Sequence, residues 1–131
     1  MTASGTIICA VDGSEGVGAA IHASRELARR FEARMLLVAV AGESAALEGL
    51  AEEHRIAGGD PAESVARIAD EEAADLIVVG ARLGLFGRPA RTPLATELAA
   101  TARCPVVVVP PDAAAARKEA PARRSYAPRL G

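Results

Sequence analysis

Four short runs of continuously apolar, mostly β-branched residues place the strongest limits on how this chain can fold. They read IICAV, MLLVAV, LIVV and PVVVV, and segments long enough to form helices lie between most of them. Strands that are apolar along their whole length are buried on both faces, as happens in a parallel sheet covered by helices. The sequence therefore predicts an open α/β domain with helices on both faces of a parallel sheet.

The composition is consistent with one such domain. The chain has 131 residues, half of them apolar, and its aromatic residues are only Phe31, Phe86 and Tyr126. A core must therefore be built from Val, Ile, Leu and Ala, and surfaces on which nucleobases could stack are nearly absent. We assign residues 1–110 to the α/β domain and the Ala/Arg/Pro-rich residues 111–131 to a disordered tail.

The charge of the chain is unevenly distributed, although its net value is only -2. Residues 1–110 hold ten basic and fifteen acidic side chains, whereas residues 111–131 hold five and two. An acidic body does not attract nucleic acid, so no nucleic-acid partner is expected. No apolar run approaches the length of a membrane span and no signal-peptide pattern opens the chain, so a cytoplasmic location without membrane contact is expected.

Capping patterns predict where the helices begin. Asp60, Pro61 and Glu63 form a capping box with proline at the first helical position. Thr92 is the expected cap of a last helix, and Ser14 is a candidate cap of the first. These patterns predict three main helices, each following a strand.

The segment after the second strand has the weakest pattern. It has room for a short helix near Ser44 to Glu53 and a weak strand near His54 to Ala57. The last helix is expected to span Pro93 to Arg103. With the four apolar runs, the weak strand gives a five-stranded sheet.

Several blocks of the sequence together resemble a universal stress protein domain, over most of Thr6 to Pro110. They are IICAVDGSEG, GDPAESVARIADEEAADLIVVGAR and ELAATARCPVVVVP, in this order and at this spacing. The resemblance implies a single-domain, Rossmann-like sheet of the adenine-nucleotide alpha-hydrolase type, ordered 3-2-1-4-5. It also implies a homodimer that pairs last strands, and an apolar last strand would otherwise be an exposed edge. The residues of that strand are Val106, Val107, Val108 and Val109.

Members of this family that bind ATP carry G-x2-G-x9-G-[ST] after the fourth strand, and the resemblance breaks down there. Gly80 matches the first glycine, but Leu83 takes the second position and Gly84 comes one residue late. Thr92 and Pro93 replace the terminal pair, in a loop one residue too short. Leucine cannot replace a glycine that allows close approach to phosphate, and proline removes an amide donor. Weak or lost ATP binding is therefore expected.

A candidate nucleotide site can still be carried over by resemblance. In the family an aspartate at the position of Asp12 reaches the adenosine, and backbone at the position of Val40 contacts the base. The candidate residues are Asp12, Val40, Gly80, Arg82, Gly84 and Thr92, with ATP and Mg²⁺ as the possible ligands.

Other roles are open for these residues. Arg82, Arg88 and Arg91 could replace backbone amides as a phosphate clamp, or they could be solvated or paired with the acidic body. Asp12 could equally well shape the turn after the first strand, and Thr92 more simply caps its own helix.

Residues typical of an active site are scarce. His22 and His54 have no Cys or His neighbour at metal-ligand spacing, and Cys9 and Cys104 lie in or beside apolar runs. No catalytic residue and no metal site are therefore expected, and slow ATP hydrolysis is an outside alternative. The sequence favours a regulatory, stress-response binding module with weak or lost ATP binding. The alternative is an adenine-nucleotide binder with a remodelled phosphate loop.

Overall fold

The computed structural model describes residues 5–40 and 42–111, which contain a five-stranded parallel sheet. Its strands are β1 (Thr6–Val11), β2 (Arg34–Val40), β3 (Glu53–Ala57), β4 (Leu76–Gly80) and β7 (Val106–Val109). They lie in the order β3-β2-β1-β4-β7. Between β4 and β7, the short strands β5 (Arg82–Leu83) and β6 (Pro89–Ala90) form a separate antiparallel hairpin. The predicted order 3-2-1-4-5 is confirmed when these two short strands are left out of the numbering.

Helices cover both faces of the sheet, as predicted. Helix α1 (Val17–Phe31) packs on one face, where Ala20 contacts a buried cluster that includes Cys9 and Leu37. Helices α2 (Pro61–Glu71) and α3 (Pro93–Thr101) pack on the other face. Strands β1, β2 and β4 lie between two apolar layers, which explains why they lack polar residues at alternate positions.

Two of the predicted helix caps are confirmed and one is wrong. The Asp60 carboxylate accepts the Glu63 N–H at 2.9 Å, and Thr92 Oγ1 accepts the Ala95 N–H at 3.0 Å. At α1, however, the capping residue is Gly16, and no side chain caps the helix. Ser14 lies two residues before this cap, in the turn after β1, where its N–H donates to Asp12 Oδ1 at 3.1 Å.

The segment after β2 is less helical than expected. A four-residue 3₁₀ helix, Ser44–Leu47, replaces the short helix predicted to reach Glu53. Strand β3 is at the sheet edge and buries only Ala57, which accounts for its weak apolar pattern. Arg34 helps hold this edge through ion pairs with Glu53 at 2.6 Å and Glu72 at 2.7 Å.

The remaining boundary predictions divide between the described and undescribed parts of the chain. Helix α3 ends at Thr101, two residues earlier than expected. The disordered tail was predicted for residues 111–131. All of these except Pro111 lie outside the described residues, so this stays a prediction. Within residues 5–40 and 42–111, none of the helices has the length and apolar character needed to cross a membrane.

Candidate functional site

A cleft of about 410 Å³ lies where the carboxyl ends of β1 and β2 meet the amino ends of α2 and α3. Ligands of open α/β sheets bind in this kind of crevice. Helix amino termini also favour anions there, because their first N–H groups have no partner within the helix. The lining residues are Asp12, Gly13, Ser14, Glu15, Val40, Pro61, Arg82, Thr92, Pro93 and Leu94.

The structure brings together four of the six residues proposed from the sequence. Asp12 follows β1, Val40 ends β2, Arg82 begins β5, and Thr92 precedes α3, and all four line the cleft. Gly80 and Gly84 do not line it. Whether the four bind a nucleotide stays a prediction.

Gly80 lies where β4 and α1 make close contact. A Cβ atom on Gly80 would lie 2.5 Å from the carbonyl carbon of Gly16 and 2.9 Å from the Val17 nitrogen. Real Cβ atoms do not approach backbone so closely, so only glycine fits at this position. The glycine that matches the first position of the family motif therefore permits helix–strand packing in this chain.

Gly84 lies in the β5–β6 hairpin, away from the cleft lining. Its N–H donates to the Arg88 carbonyl at 2.6 Å, and a Cβ there would lie 3.1 Å from the Ala90 Cβ. The glycine that comes one residue late in the motif thus closes a hairpin.

Backbone amides of the loop after β4 are largely used inside the protein. Ala81 donates to the Val109 carbonyl at 2.7 Å, and Leu83 donates to Glu15 Oε1 at 3.3 Å. Arg88 donates to the Leu85 carbonyl at 3.2 Å. A phosphate-binding loop instead points several unpaired N–H groups at its ligand. In the described conformation at least five of the eight N–H groups of residues 81–88 already donate within the protein.

Acidic side chains outnumber basic ones at the cleft. Arg82 is the one cation among the described lining residues, whereas Asp12 and Glu15 contribute two carboxylates. The Glu43 carboxylate lies beside the same turn, since a Cβ on Gly13 would approach its atoms to 2.8 Å. These charges make the cleft less attractive to a polyanion than the loop sequence suggested.

The loop arginines do not form one cluster. Arg82 lines the cleft, whereas Arg91 borders a separate pocket of about 110 Å³ next to Val108 and Pro110. In the part of the chain that the structure describes, Arg82, Arg88 and Arg91 form no ion pair. Of the two sequence alternatives to a clamp, pairing with the acidic body is therefore not observed there.

Asp12 stabilises the turn after β1 through only one of its two carboxylate oxygens. Its Oδ1 accepts the Ser14 N–H, while its Oδ2 accepts no hydrogen bond from residues 5–40 or 42–111. The neighbouring Ser14 Oγ is buried and, within the same ranges, has no partner. The turn after β1 therefore presents polar atoms to the cleft lining that the described residues leave unused.

Sequence reasoning missed the acidic residues at the cleft. Glu15 was visible in the sequence because it directly follows Asp-Gly-Ser, where a side chain must lie near the strand end. Glu43 had no comparable signal, since it reaches the turn from the segment after β2. Only the fold brings these two residues together.

The described residues do not assemble a typical catalytic centre. Among residues 5–40 and 42–111, no group of three His, Cys, Asp or Glu side chains is placed to hold a metal ion. Burial raises the pKa of the Cys9 thiol to about 11, so little thiolate forms at neutral pH. Cys9 therefore serves as a core residue.

Comparison with known proteins agrees with the fold and the motifs. The model of the universal stress protein family matches residues 41–110, just over half of the chain. No curated protein matches the chain in sequence.

Several solved structures share its fold. The universal stress protein UspA from Lactobacillus plantarum is 19% identical, covering 83% of this chain and 99% of its own, with a TM-score of 0.68. A universal stress family protein from Burkholderia pseudomallei is 28% identical, covering 82% and 96%, with a TM-score of 0.58. An Archaeoglobus fulgidus universal stress protein in complex with dAMP is 17% identical, covering 83% and 99%, with a TM-score of 0.59. Together, the family match and the shared sheet order show that this chain belongs to the universal stress protein family.

Proposed function

We propose that this chain is a regulatory, stress-response binding module whose affinity for ATP is weak or lost. The observation that carries the proposal is the use of loop amides in the hairpin and in contacts to Glu15 and Val109. An amide that already donates to a protein acceptor must break that bond before it can donate to phosphate. The loop would therefore have to rearrange in order to hold a triphosphate.

The charge of the cleft also opposes the binding of ATP. Asp12, Glu15 and Glu43 lie in or beside it, against the single cation Arg82. Each carboxylate near a phosphate at the protein surface opposes binding by about 1 to 4 kcal/mol at 4 Å. Mg²⁺ would offset part of this repulsion but would not replace the missing donors.

A specific observation supports the alternative, an adenine-nucleotide binder with a remodelled phosphate loop. Arg82 lines the cleft and forms no ion pair within the described residues, so it is free to contact an anion. Asp12 and Val40, the positions that meet adenosine in the family, line the same cleft. Two structures with this fold are complexes with adenine nucleotides, one with cAMP and one with dAMP. A nucleotide is therefore the ligand to test first.

The module is proposed to act by binding and to work as a homodimer. Among the described residues that line the cleft, none is a nucleophile hydrogen-bonded to a base, so slow ATP hydrolysis is the less favoured alternative. Strand β7 occupies one edge of the sheet, where its outer backbone groups could pair with a second copy.

Calorimetric titration with Mg-ATP, and separately with cAMP, tests the two functions. The variants are Asp12→Ala and Arg82→Ala, and Arg88→Ala is the matched control because Arg88 lies in the same hairpin but outside the cleft lining. Absence of heat and of a thermal shift at millimolar ATP would support the proposal. Micromolar affinity, about 8 kcal/mol, that falls in the first two variants and not in the control would establish the alternative.

A further inference from the structure

The tip of the β5–β6 hairpin presents two large apolar side chains to solvent. Phe86 is 96% exposed and Leu85 is 82% exposed, the highest values among the large apolar residues that the structure describes. Adjacent exposed apolar side chains of this size are typical of a surface that becomes covered. We call these two residues the hairpin tip.

The backbone holds the tip in an unfavourable conformation. Phe86 has φ 61° and ψ 25°, a left-handed geometry that is strained for a bulky side chain. Hydrogen bonds from Gly84 to the Arg88 carbonyl and from Gly87 to the Gly84 carbonyl close the turn around it. The hairpin thus fixes an aromatic ring outward at an energetic cost, which a contact made by that ring would offset.

A pocket of complementary chemistry lies at the opposite end of the sheet. It has a volume of about 300 Å³ and is lined by Gly5, Ile7, Phe31, Ala33, Asp75 and Leu76, at the amino ends of β1 and β4. Phe31, the last residue of α1, is 66% exposed at its rim. We call this site the basal pocket, and it is large enough to admit one aromatic side chain.

The charges around the two features are also complementary. Arg88 lies two residues after Phe86 in the same turn, and Asp75 and Glu32 lie in and beside the basal pocket. These three residues form no ion pair within the described parts of the chain. Asp75 does accept the Thr6 N–H at 3.0 Å, through Oδ2, which leaves its Oδ1 available.

We propose that the hairpin tip of one copy inserts into the basal pocket of a second copy. Phe86 would pack against Phe31 and Leu76, with Arg88 facing Asp75. The tip lies beyond the carboxyl end of β4, whereas the pocket lies at its amino end. The two surfaces are therefore different, and the contact is head-to-tail, with each copy offering one tip and one pocket. This interface differs from pairing of β7 edges, which joins the same surface of two copies.

A second copy fits the charges better than an anionic membrane does. Residues 1–110 hold fifteen acidic and ten basic side chains, so most of the domain would be repelled by anionic lipid. A second copy carries the same acidic excess, but its basal pocket places the carboxylates Asp75 and Glu32 locally where the arginine of the hairpin would dock.

Sedimentation equilibrium over a range of protein concentrations tests the contact. It is run in a Val107→Lys background, so that pairing of β7 edges does not contribute. Phe86→Ser should weaken association about tenfold or more, because the variant no longer buries an aromatic ring. Ile56→Ser is the control, since Ile56 is a 51% exposed apolar residue on β3, and it should change nothing. The proposal would be overturned if the Val107→Lys protein stayed monomeric at all concentrations. It would also be overturned if adding Phe86→Ser left the association of that protein unchanged.

Mixing two defective variants separates head-to-tail contact from other kinds of association. Both variants are made in the Val107→Lys background; Phe86→Ser lacks the tip and Phe31→Ser lacks part of the pocket, so each alone should associate about tenfold or more weakly than the Val107→Lys protein. Their mixture retains one intact tip and one intact pocket, and native mass spectrometry should show a complex of one copy of each. No mixed complex would refute the head-to-tail arrangement. Phe86-dependent binding of monomers to phosphatidylserine-containing vesicles would also refute it and would identify the tip as a lipid contact.

Discussion

Gly80 and Gly16 are in direct backbone contact, at the point where β4 passes under the amino end of α1. A Cβ atom on Gly80 would lie 2.6 Å from the Gly16 carbonyl oxygen. This contact sets the height of α1 above the sheet and therefore the position of the turn that carries Asp12. A glycine that the family motif associates with phosphate is thus required here for packing, whether or not a ligand binds.

Gly80→Ala should destabilise the protein by several kcal/mol, because its methyl group meets backbone that cannot yield without moving α1. Gly18→Ala is the matched control. Gly18 lies within α1 and a Cβ there meets nothing within 4 Å, so the variant should gain about 0.5 to 1 kcal/mol. Urea unfolding measures both changes. Equal stability of Gly80→Ala and the parent would contradict the packing role.

Thr92 should be important for stability in the absence of any nucleotide. Thr92→Val removes the hydroxyl that accepts the Ala95 N–H and should cost about 1 to 2 kcal/mol, whereas Thr92→Ser should keep most of the stability. Thermal unfolding of both variants without ligand checks this. If Thr92→Val were as stable as Thr92→Ser, the cap would not contribute, and a ligand-binding role would become the better explanation.

Removal of acidic charge should improve ATP binding if repulsion limits it. Glu15→Gln and Glu43→Gln should each raise the affinity for Mg-ATP, by about fivefold for about 1 kcal/mol of relieved repulsion at low salt. The gain should shrink as ionic strength rises. Glu48→Gln, an exposed residue that does not line the cleft, is the control. Titrations at two salt concentrations that show no difference from the parent would mean that charge does not limit binding.

Val107→Lys should disrupt the proposed pairing of β7 edges. Val107 is 37% exposed on the edge strand, so lysine can be accommodated in the monomer but places a charge within the proposed interface. In dilute solution, light scattering should show half the mass of the parent. Ile56→Lys introduces the same charge on β3, at the other edge of the sheet, and should leave the mass unchanged. An unchanged mass in Val107→Lys would mean that β7 is not the interface.

Cys9 should make the fold sensitive to alkali. Burial raises its pKa from 9.0 to about 11, so the folded protein keeps a proton that the unfolded chain loses above pH 9. Stability should therefore be unaffected below pH 9 and fall by about 1.4 kcal/mol per pH unit between pH 9 and 11. Urea unfolding at several pH values, under reducing conditions, should show a shallower fall in Cys9→Ala. The same slope in both proteins would rule out Cys9 as the cause.

Much of the fold could be predicted from local patterns. Continuous apolar runs identified four of the five strands, although the last of them, β7, is an edge strand that buries only Val109. Caps such as Asp60 and Thr92 set helix starts to the residue. The prediction for Ser14 was wrong because α1 begins after Gly16, two residues further along, so the Ser14 hydroxyl is not at the cap position. The middle segment was predicted less well, since β3 buries only Ala57 and is held by pairing with β2 and by ion pairs.

The candidate site was predicted only in part, because a cleft is made by residues that are distant in sequence. The broken loop motif raised doubt about phosphate binding, which stays a prediction, and it did not reveal the β5–β6 hairpin or the bond from the Leu83 amide to Glu15 across 68 residues. The sequence alone determined the class of fold and the caps of α2 and α3, since these depend on local periodicity and backbone chemistry, and the family resemblance supplied the strand order. Only the tertiary structure decided that Gly80 supports packing and that carboxylates line the same cleft as Arg82, because both depend on which distant segments the folded sheet brings together.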